Sequence, residues 1–133
     1  MSTPRLPPDL WTDPRHRDGL EAETRAADWL VEVGWTVVAR RFPMGRHDLD
    51  IVARLGTLVA FVEVKWRSGP AFGAPEEAVG GRKRRVIERV AWTWILRHGA
   101  AGDNYRFDVM ALSGPLSRCQ IRHIEDAWRP GWR

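Results

Sequence analysis

The chain has 133 residues, 44% of them apolar, which is enough to bury one hydrophobic core but not two. Its formal net charge is +4 and its sequence pI is near 10.2, a balance that favours an anionic partner. One cysteine, Cys119, excludes an internal disulfide, and no apolar run approaches the roughly 20 residues of a membrane span. We therefore expect a single cytoplasmic domain with no membrane contact.

The first half of the chain predicts an arm, a helix and three strands. Residues 1–17 are rich in proline and lack periodicity, which indicates an irregular N-terminal arm. Apolar residues at helical spacing then predict a helix from Gly19 to Val33, with a glycine directly after it as a stop signal. The strands are predicted at residues 35–41, 48–54 and 58–66, and the last two form a hairpin.

The second half predicts a loop, a long helix and two further strands. The loop is SGPAFGAP, and the helix runs from about Pro75 to His98. The strands are YRFDVMAL and SRCQIRHIED, at residues 105–112 and 117–126. The order is therefore α-β-β-β-α-β-β, with the domain at residues 18–128 and a short tail at residues 129–133.

One face of the second predicted helix carries positive charge. Arg82, Arg85, Arg89 and Trp92 follow i, i+3, i+7, i+10 spacing. This pattern is typical of a basic stripe that ends in an aromatic residue. We expect Trp92, like Trp66, to lie in the hydrophobic core, with stacking on an unpaired base as the alternative.

Ionisable residues interrupt the apolar runs of the second and third predicted strands. Because alternate residues of a strand share a face, Asp48 lies with Asp50, and Glu63 lies with Lys65. If the two polar faces coincide, three carboxylates meet one lysine, and a divalent cation would supply the missing positive charge. The alternative is a half-exposed sheet with a wet polar face, on which Lys65 pairs with Glu63 or Asp50.

An acid in the first helix is followed by an acid in the second strand and E-x-K in the third: Glu23, Asp50, Glu63 and Lys65. This order resembles the PD-(D/E)xK nuclease superfamily. More narrowly, the chain resembles the YraN family (UPF0102 type) of small bacterial proteins, related to archaeal Holliday-junction resolvases. The matching stretches span residues 19–128 and include FVEVKWRSGPAFGAPEEAV, DLDIVA, KRRVIERVAW and YRFDVMAL. The resemblance implies an α/β, restriction-endonuclease-like fold with a central mixed sheet of about five strands flanked by helices.

The resemblance also implies a metal-dependent site. The implied ligands of Mg²⁺ or Mn²⁺ are Asp50, Glu63, Asp48 and the backbone carbonyl of Val64. Lys65 would activate the attacking water. Glu23 would support the metal from the helix, with Glu21 as a competitor and a solvated helix carboxylate as the alternative.

Basic residues around this site are expected to contact DNA phosphates. They are Arg67, Arg82, Lys83, Arg85 and Arg89. Lys83 matches a basic position of the family, and Arg67 shares strand parity with Lys65; both have a simple solvent-facing role as the alternative. Because phosphate contacts carry no sequence information, we expect selectivity for DNA structure rather than for sequence.

The chain departs from the family pattern just before the site, where Arg41 and Pro43 stand in place of an asparagine and an arginine, and at two positions of the site itself. Where the family usually reads G-E-I-D-L-I, this chain reads HDLDIV, so His47 replaces a glycine and Asp48 replaces a glutamate. The shorter Asp48 can still coordinate a metal. His47 is expected to be an ordinary polar residue, with a metal ligand or general acid as the alternative.

The resemblance implies a metal-dependent endonuclease that cuts branched or junction DNA in repair or recombination. Related resolvases are dimers, so a homodimer is also implied. Two alternatives stay open: a DNA-binding module without turnover, and a protein-interaction module that uses the same fold as a scaffold.

Overall fold

The computed structural model describes residues 14–69 and 79–132, which form two helices, five strands and one short 3-10 turn. The helices are α1, Pro14–Glu32, and α2, Gly81–His98. The strands are β1, Thr36–Met44; β2, His47–Leu55; β3, Leu58–Arg67; β4, Asn104–Ser113; and β5, Gln120–Trp128. Their order along the chain confirms the predicted α-β-β-β-α-β-β pattern.

The strands form one sheet in the order β1-β2-β3-β4-β5. Neighbours are antiparallel except β3 and β4, which are parallel and are connected through α2. The result is a five-stranded mixed sheet flanked by helices, as in the restriction-endonuclease-like fold.

Each face of the sheet is covered by one helix. Ala22, Ala26 and Leu30 of α1 pack into one apolar cluster, the α1-side core. On the opposite face α2 contributes Val90 and Trp94 to the α2-side core. Because both faces are covered, the middle of β3 is buried throughout, which explains its unbroken apolar run. No helix within the described residues is long and apolar enough to cross a membrane.

Both helices begin away from their predicted starts. The α1 helix begins at Pro14, so residues 14–17, which were expected in the arm, are helical; the rest of the arm lies outside the described residues. The prediction that α2 begins near Pro75 is wrong, because Val79 and Gly80 are not helical. Gly80 has extended backbone, and its carbonyl accepts the N–H of Arg84, so the helix begins only after it.

The sheet edges explain two other boundary errors. The first strand was expected to stop before Pro43, but β1 continues to Met44. It is an edge strand, where a residue without an N–H removes no necessary ladder bond. The last strand was expected to begin at Ser117, but Leu116–Arg118 form a 3-10 turn, and β5 begins at Gln120.

The two tryptophans expected in the core differ in their burial. Trp66 packs against the α1-side core, and its Nε1–H donates a 2.9 Å hydrogen bond to the carbonyl of Gly114. Trp92 is 46% exposed, so its expected place in the core is wrong. Helical phase explains this, because Ala91 and Trp94 turn toward the core and Trp92 turns away from it.

A buried ion cluster connects β4 to β5. Asp108 is completely buried, and its carboxylate accepts bonds of 2.8 and 2.9 Å from Arg106. The same carboxylate lies 2.7 Å from Nε2 of His123 and accepts the backbone N–H of Asp126. Burial raises the pKa of Asp108, but the hydrogen bonds from His123 and Arg106 outweigh it and hold the pKa below its usual range. The sequence analysis did not single out this cluster.

Candidate active site

Strands β2 and β3 separate before either of them ends. Their last paired residues are Ile51 and Val62, but β2 stays paired with β1, and β3 stays paired with β4, well beyond that point. Asp50 and Glu63 are the next residues on their respective strands. We call this point the fork. It places Asp50 and Glu63, two of the four predicted metal ligands, where the sheet divides.

The side chain of Asp50 takes over a hydrogen bond at the fork. Its Oδ2 accepts the backbone N–H of Val64 at 2.8 Å, a group that the β2–β3 ladder no longer pairs. This bond fixes one carboxylate oxygen of Asp50 against β3. It also positions the carboxylate beside both Glu63 and Glu23, with which it interacts electrostatically.

Glu63 is a buried carboxylate between two lysines. Its side chain is 5% exposed, and its Oε1 lies 3.7 Å from Nζ of Lys65 and 3.6 Å from Nζ of Lys83. Burial and the charge of Asp50 raise the pKa of Glu63 to about 8, although Lys83 and Lys65 oppose the shift. Two lysines therefore do not fully compensate the ionised form.

Glu23 is the α1 carboxylate that reaches the fork. Burial and the charge of Asp50 raise its pKa to about 7, while Arg41 and Arg40 act in the opposite direction. The competitor Glu21 is exposed and pairs instead with Arg25 at 3.3 Å, one turn along the helix. The geometry therefore favours Glu23 over Glu21 as the helix acid.

Arg41 has an unusual backbone conformation next to this cluster. Its φ is 52°, in the left-handed region that non-glycine residues seldom adopt. It lies on β1 between Arg40, which pairs with Ile51, and Phe42, which pairs with Leu49, and is therefore opposite the fork. Strain of this kind is concentrated at functional sites. The sequence carried no signal for it, because nothing in WTVVARR departs from an ordinary strand.

The residues at the fork fit a hard divalent cation. Among the described residues, no group of three or more His, Cys, Asp or Glu side chains forms a ready-made metal site. Mg²⁺ does not need one, since it binds through one or two carboxylates and keeps several waters. Asp50 and Glu63 would supply the carboxylates, and the raised pKa of Glu63 marks a position where additional positive charge is favourable.

The two positions that depart from the family pattern lie at the start of β2. His47 is exposed, and Asp48 is partly buried opposite Pro43 of β1. Asp48 stays a predicted ligand, and the exposure of His47 agrees with an ordinary polar residue.

The predicted phosphate-binding residues fall into three places. Arg67 is at the exposed end of β3, and Lys83 reaches Glu63. Arg82, Arg85 and Arg89 line an open groove along α2. Lys83 was predicted to contact a phosphate. Its approach to Glu63 was not predicted, because it depends on the rotation of α2 about its axis.

The alternative of a wet polar sheet face does not hold at Glu63, which is buried. The other half of that alternative, a pair between Lys65 and Glu63, is present. The fork is therefore an acidic cluster around one buried carboxylate, with an adjacent lysine, an arrangement that can hold a cation and orient a water beside it.

Comparisons with known proteins place this geometry in context. Residues 22–112 match the sequence model of the Uncharacterised protein family UPF0102. A UPF0102 protein of Anaeromyxobacter dehalogenans is 37% identical over 123 residues, which cover 90% of this chain and 92% of that protein. UPF0102 proteins of Moorella thermoacetica and Erythrobacter litoralis are 39% and 37% identical, over 74% and 86% of this chain and 82% and 94% of their own lengths.

Proposed function

The chain belongs to the UPF0102 family, the family that its sequence resembles under the name YraN, and from the geometry of its fork we propose that it is a metal-dependent endonuclease acting on DNA. One observation carries this proposal. Asp50 and Glu63 come from two strands that separate at their position, and Lys65 lies beside them. A purely structural ion pair does not need three neighbouring carboxylates at a gap in a sheet, nor the raised pKa values of Glu23 and Glu63.

The residues at the fork divide the work of phosphodiester hydrolysis. When bound, a divalent cation polarises the phosphate and makes water a better nucleophile. Asp50 and Glu63 hold the ion, with the backbone of Val64 beside them. Lys65 orients the attacking water, and Glu23 supports the cluster from α1.

The surrounding cations position the DNA. Lys83 and Arg67 flank the fork, and the arginines of α2 extend the positive surface away from it. Their contacts are to phosphates, which fix register but do not read bases. We therefore expect preference for a DNA shape, such as a branch or junction, and a role in repair or recombination. A homodimer would place two sites on one junction.

A cleavage assay tests the proposal. Labelled junction, flap, duplex and single-stranded DNA are incubated with Mg²⁺ or Mn²⁺ and with the wild type, Glu63→Gln or Lys65→Ala. Wild-type cutting is expected to need the metal and to fall at least about 100-fold in both variants. Glu21→Gln, a change to an exposed α1 carboxylate, is the matched control and should cut like the wild type.

Three results would contradict the proposal. Equal cutting by the wild type and both variants would indicate a contaminating nuclease. Binding of the same DNAs without cutting by either metal would favour a DNA-binding module, and absence of both binding and cutting would favour a protein-interaction module.

A further inference from the structure

A groove on the outer side of α2 lies apart from the carboxylates of the fork. Its volume is about 640 Å³, within the range of ligand-binding pockets. It lies between α2, Met44 at the end of β1, and Trp132 near the C-terminus. Its walls combine exposed indole rings with guanidinium groups. None of the arginines that line it is among the charged groups that act on Glu23 or Glu63.

Two tryptophans form the aromatic part of the groove. Trp92 and Trp132 are 46% and 40% exposed, and their ring centroids lie 5.2 Å apart. The ring of Trp132 also contacts Phe107 of the α2-side core edge-on at 6.0 Å, so the core supports it from behind. The core holds these indole rings in place and yet leaves much of their apolar surface in contact with water. Folding alone would favour burial of that surface.

Three arginines form the charged part. Within residues 14–69 and 79–132, no carboxylate forms an ion pair with Arg82, Arg85 or Arg89. Glu88 also lines the groove, but its carboxylate accepts the indole N–H of Trp128. The lining therefore carries three positive charges against one negative charge. This excess favours a polyanion over an apolar peptide as the occupant.

The aromatic end of the groove is too far from the fork to hold the phosphate that is cut. Trp92 follows Lys83 by nine residues of helix, about 14 Å at 1.5 Å per residue. This distance corresponds to about four phosphate spacings of one B-form strand at 3.4 Å each. Bases inside a duplex are already stacked and paired, so only an unpaired base can stack on the indoles.

We propose that this groove binds an unpaired stretch of DNA, whose bases stack on Trp92 and Trp132 while its phosphates contact Arg82, Arg85 and Arg89. This inference rests on the proposed function and specifies its substrate as DNA with a single-stranded segment a few nucleotides from the cut. The duplex part lies at the fork, and the unpaired part follows α2.

Binding without metal tests the inference independently of cleavage. Fluorescence anisotropy in EDTA compares labelled oligo(dT) with a duplex of equal length. Trp92→Ala and Trp132→Ala are each expected to weaken oligo(dT) binding about 5- to 100-fold and to change duplex binding by less than about two-fold. Trp92→Phe keeps an aromatic face and should retain most of the affinity. Leu96→Ala, which removes another exposed apolar side chain from α2, is the matched control and should leave both affinities unchanged.

Failure of the groove inference and failure of the proposed nuclease activity give different results. Tryptophan-dependent binding of oligo(dT) without any metal-dependent cutting would support the groove and contradict the nuclease. Three results would overturn the inference: equal losses of affinity for oligo(dT) and duplex, no loss of affinity in either alanine variant, or no affinity of the wild type for DNA. The last result would leave a protein segment as the occupant.

Discussion

Nζ of Lys83, at the start of α2, lies 3.6 Å from Oε1 of Glu63 on β3. Nζ of Lys65, on the same strand as Glu63, lies 3.7 Å from that oxygen. The two lysines differ in setting, since the side chain of Lys83 is 51% exposed and that of Lys65 is 35% exposed. We expect Lys83 to contact a DNA phosphate as well as Glu63, and we expect Lys65 to orient the reacting water.

Substitution of each lysine by alanine should separate these roles. Lys83→Ala is expected to lower the slope of log K against log salt for duplex binding by about 0.9, the loss of one phosphate contact, and to leave measurable cutting. Lys65→Ala should bind with an unchanged slope and cut at least about 100-fold more slowly. A Lys83→Ala protein with an unchanged salt slope and no cutting would instead assign Lys83 to the chemical step.

Stability without metal should fall as pH rises. The pKa of Glu63 is about 8 in the folded protein against an ordinary 4.5, so folding favours the protonated form. Its contribution to the free energy of unfolding is fully present below about pH 4.5 and is lost as the pH rises to about 8. Glu63→Gln removes this titration, so its melting temperature in EDTA should exceed that of the wild type at pH 8.5 by at least a few degrees.

Metal should reverse this trend only where Glu63 is intact. Coordination needs ionised carboxylates, so added Mg²⁺ or Mn²⁺ should raise the melting temperature more at pH 8 than at pH 6 and should have little effect on Glu63→Gln. Glu21→Gln should respond like the wild type. The same metal response in Glu63→Gln would place the binding site away from the fork.

The Asp108 cluster should be important for stability. Asp108→Asn leaves Arg106, whose side chain is 15% exposed, without its buried counter-charge, and is expected to cost about 3–5 kcal/mol in urea unfolding. Glu125→Gln removes the exposed partner of the same arginine, 3.7 Å away, and should cost less than about 1 kcal/mol. Similar losses in both variants would mean that the buried pair has no special weight.

Two glycine substitutions should have opposite signs. A Cβ at Gly99 would collide with Oη of Tyr105 and would lie 2.7 Å from the carbonyl oxygen of Ile95, so Gly99→Ala should destabilise the C-terminal end of α2. A Cβ at Gly19 in α1 meets nothing within 4 Å, so Gly19→Ala should stabilise by up to about 1 kcal/mol. Thermal unfolding of the two variants checks both signs, and a Gly99→Ala protein as stable as the wild type would show that both the tyrosine and the last turn of α2 move aside freely.

Local patterns were enough to predict the element order and to single out Asp50, Glu63 and Lys65, whereas the role of Glu23 was implied only by the family resemblance. Gly34 and Gly99 follow the two helices, as predicted from sequence. The alternation of Glu63 and Lys65 in an apolar strand also identified the charged cluster, because strand periodicity alone puts them on one face.

Features that depend on packing between distant segments could not be predicted. The approach of Lys83 to Glu63 requires the position of α2 on the sheet, and the exposure of Trp92 requires the location of the core on that helix. The Asp108 cluster depends on pairing between β4 and β5. Its aspartate stands inside the apolar strand YRFDVMAL, and its partner His123 comes from the neighbouring strand.

The separation of β2 from β3 has a mechanical consequence. Asp50 belongs to a two-stranded half of the sheet and Glu63 to a three-stranded half, because the ladder that joins the halves ends before either carboxylate and the bond from the N–H of Val64 to Asp50 continues the link beyond it. The spacing of the two carboxylates is therefore set by the angle between the halves as well as by local backbone geometry. We therefore expect any contact that bends one half relative to the other to change how well both carboxylates can hold one ion, which would link the shape of a bound DNA to the affinity for metal.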